Sequence, residues 1–252
     1  MNPPGSTYTT AGGLNNTGVV VGAFELPGQT LSGFTYKVAS NQYHPLNVPG
    51  AVYTTALAVN DSNTIVGTFA NSDGVVHGYF NHNGKFTQYD VPGSTGTTVQ
   101  GINNAGDFTG TVGANGFYSG YVSIGGTVTQ FQVNGLVTDA YAINSSGSVV
   151  GFFINAAATK FHGYVRDSAG NITQIDFPGS VSTACTGIND AGTITGFYED
   201  VTSQNHGFIL ANGKYLASTL PYIAGVNNKS EYVGSTAGKS GQTLGFLARG
   251  KQ

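Results

Sequence analysis

The stretch Thr97-Thr98-Val99-Gln100-Gly101-Ile102-Asn103-Asn104-Ala105-Gly106-Asp107-Phe108-Thr109-Gly110 holds one complete phrase. A small residue, an aliphatic residue and Asn end one strand; a short turn and a second strand ending in Gly follow. The skeleton recurs as Leu14-Asn15 to Gly22, Val59-Asn60 to Gly67, Ile143-Asn144 to Gly151, Ile188-Asn189 to Gly196 and Val226-Asn227 to Gly234. Stepping from Asn15 through Asn60, Asn103, Asn144 and Asn189 to Asn227, the intervals are 45, 43, 41, 45 and 38 residues. A period in this range marks a repeat architecture.

Around the phrase, each unit reads as four short strands. Asn and Gly in the turn tolerate positive φ, and Asn bonds its own backbone. The second strand is Thr64-Ile65-Val66-Gly67-Thr68-Phe69 in repeat two and Thr193-Ile194-Thr195-Gly196-Phe197-Tyr198 in repeat five. The third carries Gly-aromatic: Gly33-Phe34, Gly78-Tyr79, Gly120-Tyr121, Gly163-Tyr164, Gly207-Phe208 and Gly245-Phe246. Asn83-Gly84 and Gly125-Gly126 signal hairpins. The fourth strand, such as Phe86-Thr87-Gln88-Tyr89-Asp90, exits through Val91-Pro92-Gly93, and Pro-Gly suits a type II turn. Four antiparallel strands in about 42 residues is the size of a propeller blade. The expected fold is therefore all-β: one domain over residues 1–252, a six-bladed β-propeller. Inner strands crowding an axis need small side chains. The position two before Asn supplies them as Gly13, Ala58, Gly101, Ala142, Gly187 and Gly225. Repeat six runs out after its third strand, while Pro3-Pro4-Gly5-Ser6-Thr7 matches the tail of a fourth. The last blade then has three strands, or the natural chain extends further.

Composition narrows the function classes. Only 8% of the 252 residues are charged, against roughly 25% in an average domain. The net charge is −3 and no Lys/Arg cluster exists, so a nucleic-acid partner is not expected. No apolar run is long enough to span a membrane, and Met1-Asn2-Pro3-Pro4 does not open a signal peptide. The single cysteine, Cys185, stands where other repeats carry Ala11, Ala56, Val99, Ala140 and Ile223, and reads as a small buried hydrophobe. No phosphate loop, zinc helix, nucleophile elbow or calcium loop is present, so no metal or cofactor is expected.

The steps His77-Gly78-Tyr79, His162-Gly163-Tyr164 and His206-Gly207-Phe208, with the flanking Gly-Ile-Asn and Asp-x-Pro-Gly phrases, resemble bacterial extracellular repeats named for a His-Ala-Phe step. Repeats one, three and six depart, carrying Ser32, Ser119 and Leu244 in place of His. The resemblance covers nearly the whole chain. It implies a propeller-type repeat in a secreted or periplasmic bacterial protein and assigns no reaction. One His per blade cannot converge on a metal, so a structural hydrogen bond to a neighbouring loop is expected of each.

Subtracting the repeat leaves the departures as functional candidates. Five before Asn the repeats read Thr10, Thr55, Thr98, Asp139, Ala184 and Tyr222; three before Asn, Gly12, Leu57, Gln100, Tyr141, Thr186 and Ala224. The loops between second and third strands add Glu25, Asp73, Lys160, Glu199 and Asp200, with Tyr118, Phe161 and Tyr198 nearby. These residues are expected to line one mouth of the central channel, on the face opposite the Asn turns. Three readings stay open. In the first, Gln100, Asp139, Tyr141, Tyr198, Tyr222 and Glu25 bind a glycan or small polar ligand on a monomer. In the second, Asp139 or Glu199 serves as base and Tyr141 or Lys160 as acid, for lyase or hydrolase chemistry on a polysaccharide. In the third, the protein is a non-catalytic scaffold or adhesin.

Overall fold

The computed structural model describes residues 1–114, 117–155, 157 and 159–250. All its regular elements are strands. Repeat one supplies β1 (Tyr8–Leu14), β2 (Val19–Glu25), β3 (Ser32–Lys37) and β4 (Gln42–Leu46). Repeat two supplies β5 (Tyr53–Val59), β6 (Ile65–Ala70), β7 (Val76–His82) and β8 (Lys85–Tyr89). In repeat three the first strand is split into β9 (Gly96–Thr97) and β10 (Gly101–Ile102), followed by β11 (Phe108–Ala114), β12 (Phe117–Ile124) and β13 (Thr127–Phe131). Repeat four has β14 (Thr138–Ile143), β15 (Val149–Ile154), β16 (Phe161–Arg166) and β17 (Ile172–Ile175). Repeat five has β18 (Ser182–Ile188), β19 (Ile194–Glu199), β20 (Asn205–Ala211) and β21 (Lys214–Ala217). Repeat six has β22 (Tyr222–Val226), β23 (Glu231–Ala237) and β24 (Thr243–Arg249).

Within each repeat the strands pair antiparallel in chain order. Hydrogen bonding divides them into five sheets, because a single parallel pairing of Tyr8 with Thr243 joins β22–β24 to β1–β4 in one seven-stranded sheet. The start and end of the chain therefore meet. The Met1 amino group donates to Gly245 O at 3.1 Å, and Gly245 N donates to Asn2 Oδ1 at 3.0 Å.

The turns behave as their residues dictate. Gly5, Gly50, Gly93 and Gly179 follow Pro and hold φ of 81, 81, 81 and 79°. Asn83-Gly84 and Gly125-Gly126 close hairpins with positive φ at both positions. At the exit of the fourth strand, Val48, Val91, Val133 and Phe177 N donate to the hydroxyls of Thr54, Thr97, Thr138 and Thr183. Each bond ties one repeat to the first strand of the next.

Two packing devices hold the sheets. The second-strand Gly lies opposite the third-strand aromatic: Gly22 with Phe34, Gly67 with Tyr79, Gly110 with Tyr121, Gly151 with Tyr164, Gly196 with Phe208 and Gly234 with Phe246. The ring covers the glycine, and Tyr79, Tyr121 and Tyr164 are fully buried. Their hydroxyls donate to Thr55 O, Thr98 O and Asp139 O at 3.1, 2.7 and 2.9 Å. Between sheets, aliphatic residues of one repeat meet the first strand of the next, as in the cluster of Val66 with Val99 and Ile102 or of Val150 with Cys185 and Ile188. Cys185 is fully buried there and its thiol is pushed up by burial. The Gly after each His serves the same seam: a side chain on Gly78 would strike Val99, and one on Gly163 would strike Cys185.

Candidate functional site

The first strands surround an axial channel, and its two ends are built differently. At one end the repeat Asn side chains close a ring. Nδ2 of Asn15, Asn60, Asn103, Asn144, Asn189 and Asn227 each donates to the main-chain oxygen of the next, the last returning to Asn15, at 2.9, 3.1, 3.1, 3.3, 3.1 and 3.1 Å. The Oδ1 atoms accept from the main chain of their own turns, as Asn103 does from Ala105 and Asp107. Asp61 and Asp190 lie just outside this ring. Burial alone would raise both carboxyls, but hydrogen bonds from Asn16 and Asn104, and from Ser145 and Asn228, hold them below the ordinary value.

Next along the axis is a waist of ≈ 90 Å³. Here the small residues two before Asn bring neighbouring backbones together. A Cβ on Gly101 would lie 2.8 Å from Ala142 Cα, and one on Gly187 3.0 Å from Gly225 Cα.

The other end opens into a cavity of ≈ 430 Å³. What faces it follows from a β-bulge. The pairing of first with second strand slips by one residue at Gly12, Leu57, Tyr141, Thr186 and Ala224. In repeat three, residues 98–100 span the gap opposite 110–111. The extra residue is unpaired and its side chain is re-aimed. Six different groups thereby face the channel: Gly12, Leu57, Gln100, Tyr141, Thr186 and Ala224. Tyr8, Thr10, Thr55 and Tyr222 complete the upper wall with Ala23, Leu31 and Ser235. Among the described residues no charged side chain is in the lining.

The tyrosines separate into two kinds. Those over the second-strand glycines bond main-chain carbonyls. Tyr8, Tyr141 and Tyr222, which line the cavity, are half-buried, and their hydroxyls have no protein partner among the described residues. Burial pushes Tyr222 up to about 12, with Tyr8 adding to the effect. Burial also raises Tyr141 well above its usual range, reinforced by Asp139 and Tyr222.

Asp139 stands behind this wall. Gln100 Nε2 donates to Thr111 Oγ1 at 3.0 Å, and Thr111 Oγ1 donates to Asp139 Oδ1 at 2.5 Å. Burial raises the Asp139 carboxyl, and the Thr111 hydrogen bond opposes the rise. Gln100 Oε1 has no protein partner among the described residues.

Of the residues expected at the mouth, Gln100, Tyr141 and Tyr222 meet at the cavity and Asp139 joins through Thr111. Thr10, Thr55, Gly12, Leu57, Thr186 and Ala224, from the same repeat positions, line it too, whereas Tyr198, Glu25, Glu199 and Lys160 do not. Tyr198 follows Phe197, so strand alternation turns it to the opposite face. It stacks on Phe177 with centroids 3.8 Å apart and lies beside His206. Glu25 and Glu199 end their strands at the outer rim, opposite Tyr8 and Ser182. Lys160 is exposed in the loop before β16, where its carbonyl accepts from Asn155 N.

Sequence reasoning passed over an aromatic belt. Tyr141, Phe152, Phe161, Phe197 and Tyr222 follow one another with centroids 5.8, 5.6, 5.7 and 5.5 Å apart. The signal was present: after the second-strand Gly the repeats read Ala23, Thr68, Thr111, Phe152, Phe197 and Ser235.

The histidines are held at the outer side of the sheets. His77 Nδ1 lies 3.0 Å from Asp90, with Gln88 bridging, and His162 repeats this with Asp176 and Gln174. His206 instead meets Asp200 at 2.8 Å, in the loop before its strand. For the first two the partner is the first residue of the loop that leaves the fourth strand of the same sheet. Among the described residues no group of three or more His, Cys, Asp or Glu could hold a metal, and no helix is long and apolar enough to cross a membrane.

No protein-family model and no curated protein sequence matches the chain. Solved structures do. TolB from Acinetobacter baumannii is similar with a TM-score of 0.63 and 14% identity, over 92% of this chain and 64% of that one. The β-propeller domain of the trilobed protease from Pyrococcus furiosus, described as having an open velcro topology, gives 0.58 and 12%, over 98% and 80%. A variant of the Aleuria aurantia lectin in complex with α-methyl-L-fucoside gives 0.52 and 13%, over 81% and 74%. The fold is a β-propeller. At these identities the likeness carries the fold alone.

Proposed function

We propose that the chain is a six-bladed propeller of the His-Ala-Phe repeat type, a secreted or periplasmic monomer whose axial cavity binds a neutral glycan unit or similar small polar ligand. The observation that carries this reading is the set of unpaired polar atoms at one cavity: the hydroxyls of Tyr8, Tyr141 and Tyr222 and the amide oxygen of Gln100. Polar groups that converge on a concave, largely apolar cavity and are not engaged by the protein are free to orient a ligand. The cavity volume of ≈ 430 Å³ falls within the range of about 300–1,000 Å³ usual for small-molecule sites. Its uncharged lining favours a neutral ligand, and tyrosine rings offer apolar faces to sugar rings while their hydroxyls bond sugar hydroxyls. The blade count is supported by the closed ring of Asn bonds, one per repeat. Three strands then form blade six.

The acid–base reading loses two of its four candidates, since Glu199 and Lys160 stand outside the cavity. Tyr141 lines it, and the Asp139 carboxyl, held by the Thr111 hydroxyl, is turned away from the opening. Binding without turnover is the better-supported activity.

A glycan array followed by calorimetry tests this. Gln100→Leu is the informative variant, because Leu57 already occupies the equivalent place in repeat two. Binding is expected to weaken about tenfold, equivalent to about 1.4 kcal/mol, with the melting temperature nearly kept and the glycan recovered intact. Unchanged affinity in Gln100→Leu would sink the reading.

A further inference from the structure

A second cavity, ≈ 260 Å³, opens at the rim between repeats two and three. It exists because repeat three departs from the others on both strands at once. Seven before Asn, the repeats read Tyr8, Tyr53, Gly96, Val137, Ser182 and Leu220; three after the second-strand Gly, they read Glu25, Ala70, Gly113, Ile154, Glu199 and Ala237. Gly96 and Gly113 pair with each other across the strands. Only here does a rim pair lack both side chains, and the missing volume is the cavity.

Over it lies an aromatic platform. Tyr118 pairs with Gly113, and its ring lies 3.3 Å from where a Cβ on Gly113 would stand. Tyr118 is 56% exposed, far more than the buried rings of the sheet interior, and it is the one aromatic in the cavity's lining. An exposed ring beside a cavity offers an apolar face for stacking. Thr95, exposed at the rim, brings Oγ1 within 3.2 Å of the same Gly113 position, and its hydroxyl bonds nothing in the protein among the described residues. The hydroxyls of Thr97, Thr98 and Thr111, by contrast, are all engaged within the protein. Among the described residues no charged side chain lines the cavity.

We propose that this rim cavity is a second binding site, taking one neutral pyranose ring stacked on Tyr118 and hydrogen-bonded by Thr95. It shares its ligand class with the proposed axial site but none of the lining residues of that cavity. Thr98 and Thr111, in its inner wall, also bond Gln100, so the two cavities lie on either side of one hydrogen-bonded partition.

The test is a titration of the whole protein, with labelled tyrosine rings and threonine methyls, against glucose, galactose, mannose and fucose separately at millimolar concentrations. Signals of Tyr118 and Thr95 are expected to shift and saturate with at least one sugar. Tyr118→Ala removes the platform and should weaken that response about tenfold, in line with about 1–3 kcal/mol for stacking on an aromatic side chain. Gly96→Val fills the cavity with the residue that repeat four carries at Val137. A Cβ there meets only Val76, at 3.6 Å and beyond, so the branch point itself is accommodated. Circular dichroism checks this, and Gly96→Val should abolish the Tyr118 shift. Movement of Tyr118 with Tyr141 and Tyr222 silent would support the rim site and count against the axial one. The rim proposal is overturned if Tyr118 and Thr95 stay still with every sugar, or if folded Gly96→Val binds as the parent does.

Discussion

The two ends of the channel are made from the same six first strands, a few residues apart, and they obey opposite rules. At the Asn end every repeat contributes the same side chain with the same bonds. At the cavity end the bulged position holds a hydrogen atom, an isobutyl group, an amide, a phenol, a hydroxyl and a methyl. The difference lies in what each end must satisfy. The Asn side chain completes buried main-chain hydrogen bonds in its own turn and in the next, so any other residue strands several polar groups. The bulged residue has no cross-strand partner of its own, and no one side chain is required of all six, although the Thr186 hydroxyl bonds Ile223 O. Repetition therefore belongs to the end that holds the ring together, and variety to the end that can hold a ligand.

The comparison breaks most severely at the waist between them. Gly101→Val places a branched side chain against the Tyr141 and Ala142 backbone, where a Cβ alone falls at 2.8 Å. Backbone cannot yield as a side-chain tip can. The expected loss exceeds about 4 kcal/mol, read as failure to give a cooperative urea transition; a folded, near-native variant would show that the first strands do not meet there.

One step smaller is the ring itself. Asn103→Ala removes the donor to Asn144 O and the acceptor for Ala105 and Asp107. Buried groups left unpaired cost about 1–3 kcal/mol each, so a loss of about 3 kcal/mol is expected in urea unfolding. Ligand affinity of the folded fraction should not change. A variant of unaltered stability would mean that the ring is ornamental.

At the partition the sign of a pH effect is informative. The folded Asp139 carboxyl keeps its proton above the value of about 4 at which the unfolded one releases it. Between that value and its raised folded one, the native state binds more protons than the unfolded state. Stability from this group thus falls as pH rises through the window. Asp139→Asn should flatten that slope relative to the parent, measured by denaturant midpoints at stepped pH. Parallel curves for the two proteins would contradict the buried placement of the carboxyl.

The smallest effect separates the two kinds of tyrosine. Tyr121→Phe deletes a hydroxyl bonded to Thr98 O at 2.7 Å and should cost about 1 kcal/mol. Tyr222→Phe deletes one without a protein partner, so its stability should stay within about 0.5 kcal/mol while glycan affinity drops. Equal losses of stability in the pair would place Tyr222 among the structural tyrosines.

Much of this was legible in the residues. The recurring Asn, the second-strand Gly, the Gly-aromatic step and the Pro-Gly exit each state a local requirement that only one geometry meets. Six concordant copies turn those requirements into an all-β repeat array. The same subtraction brought out Gln100, Asp139, Tyr141 and Tyr222. It also admits Glu25, Glu199, Lys160 and Tyr198, because closeness along the chain is not closeness in space. Strand alternation sends Tyr198 to the far face from Phe197, and the length of the second strand carries Glu25 and Glu199 out to the rim.

What the chain settles by itself is periodic: turn type, strand order, where small residues must stand and where polar side chains must close a ring. These depend on contacts within a repeat or at a constant offset to the next, so one reading serves six times. What only the tertiary structure decides is which departures from the period share a space. A one-residue bulge turns Gln100 and Tyr141 toward the axis, and two glycines that happen to pair open a cavity beneath Tyr118. Both outcomes rest on the relative placement of strands from different repeats, which no single stretch of sequence encodes.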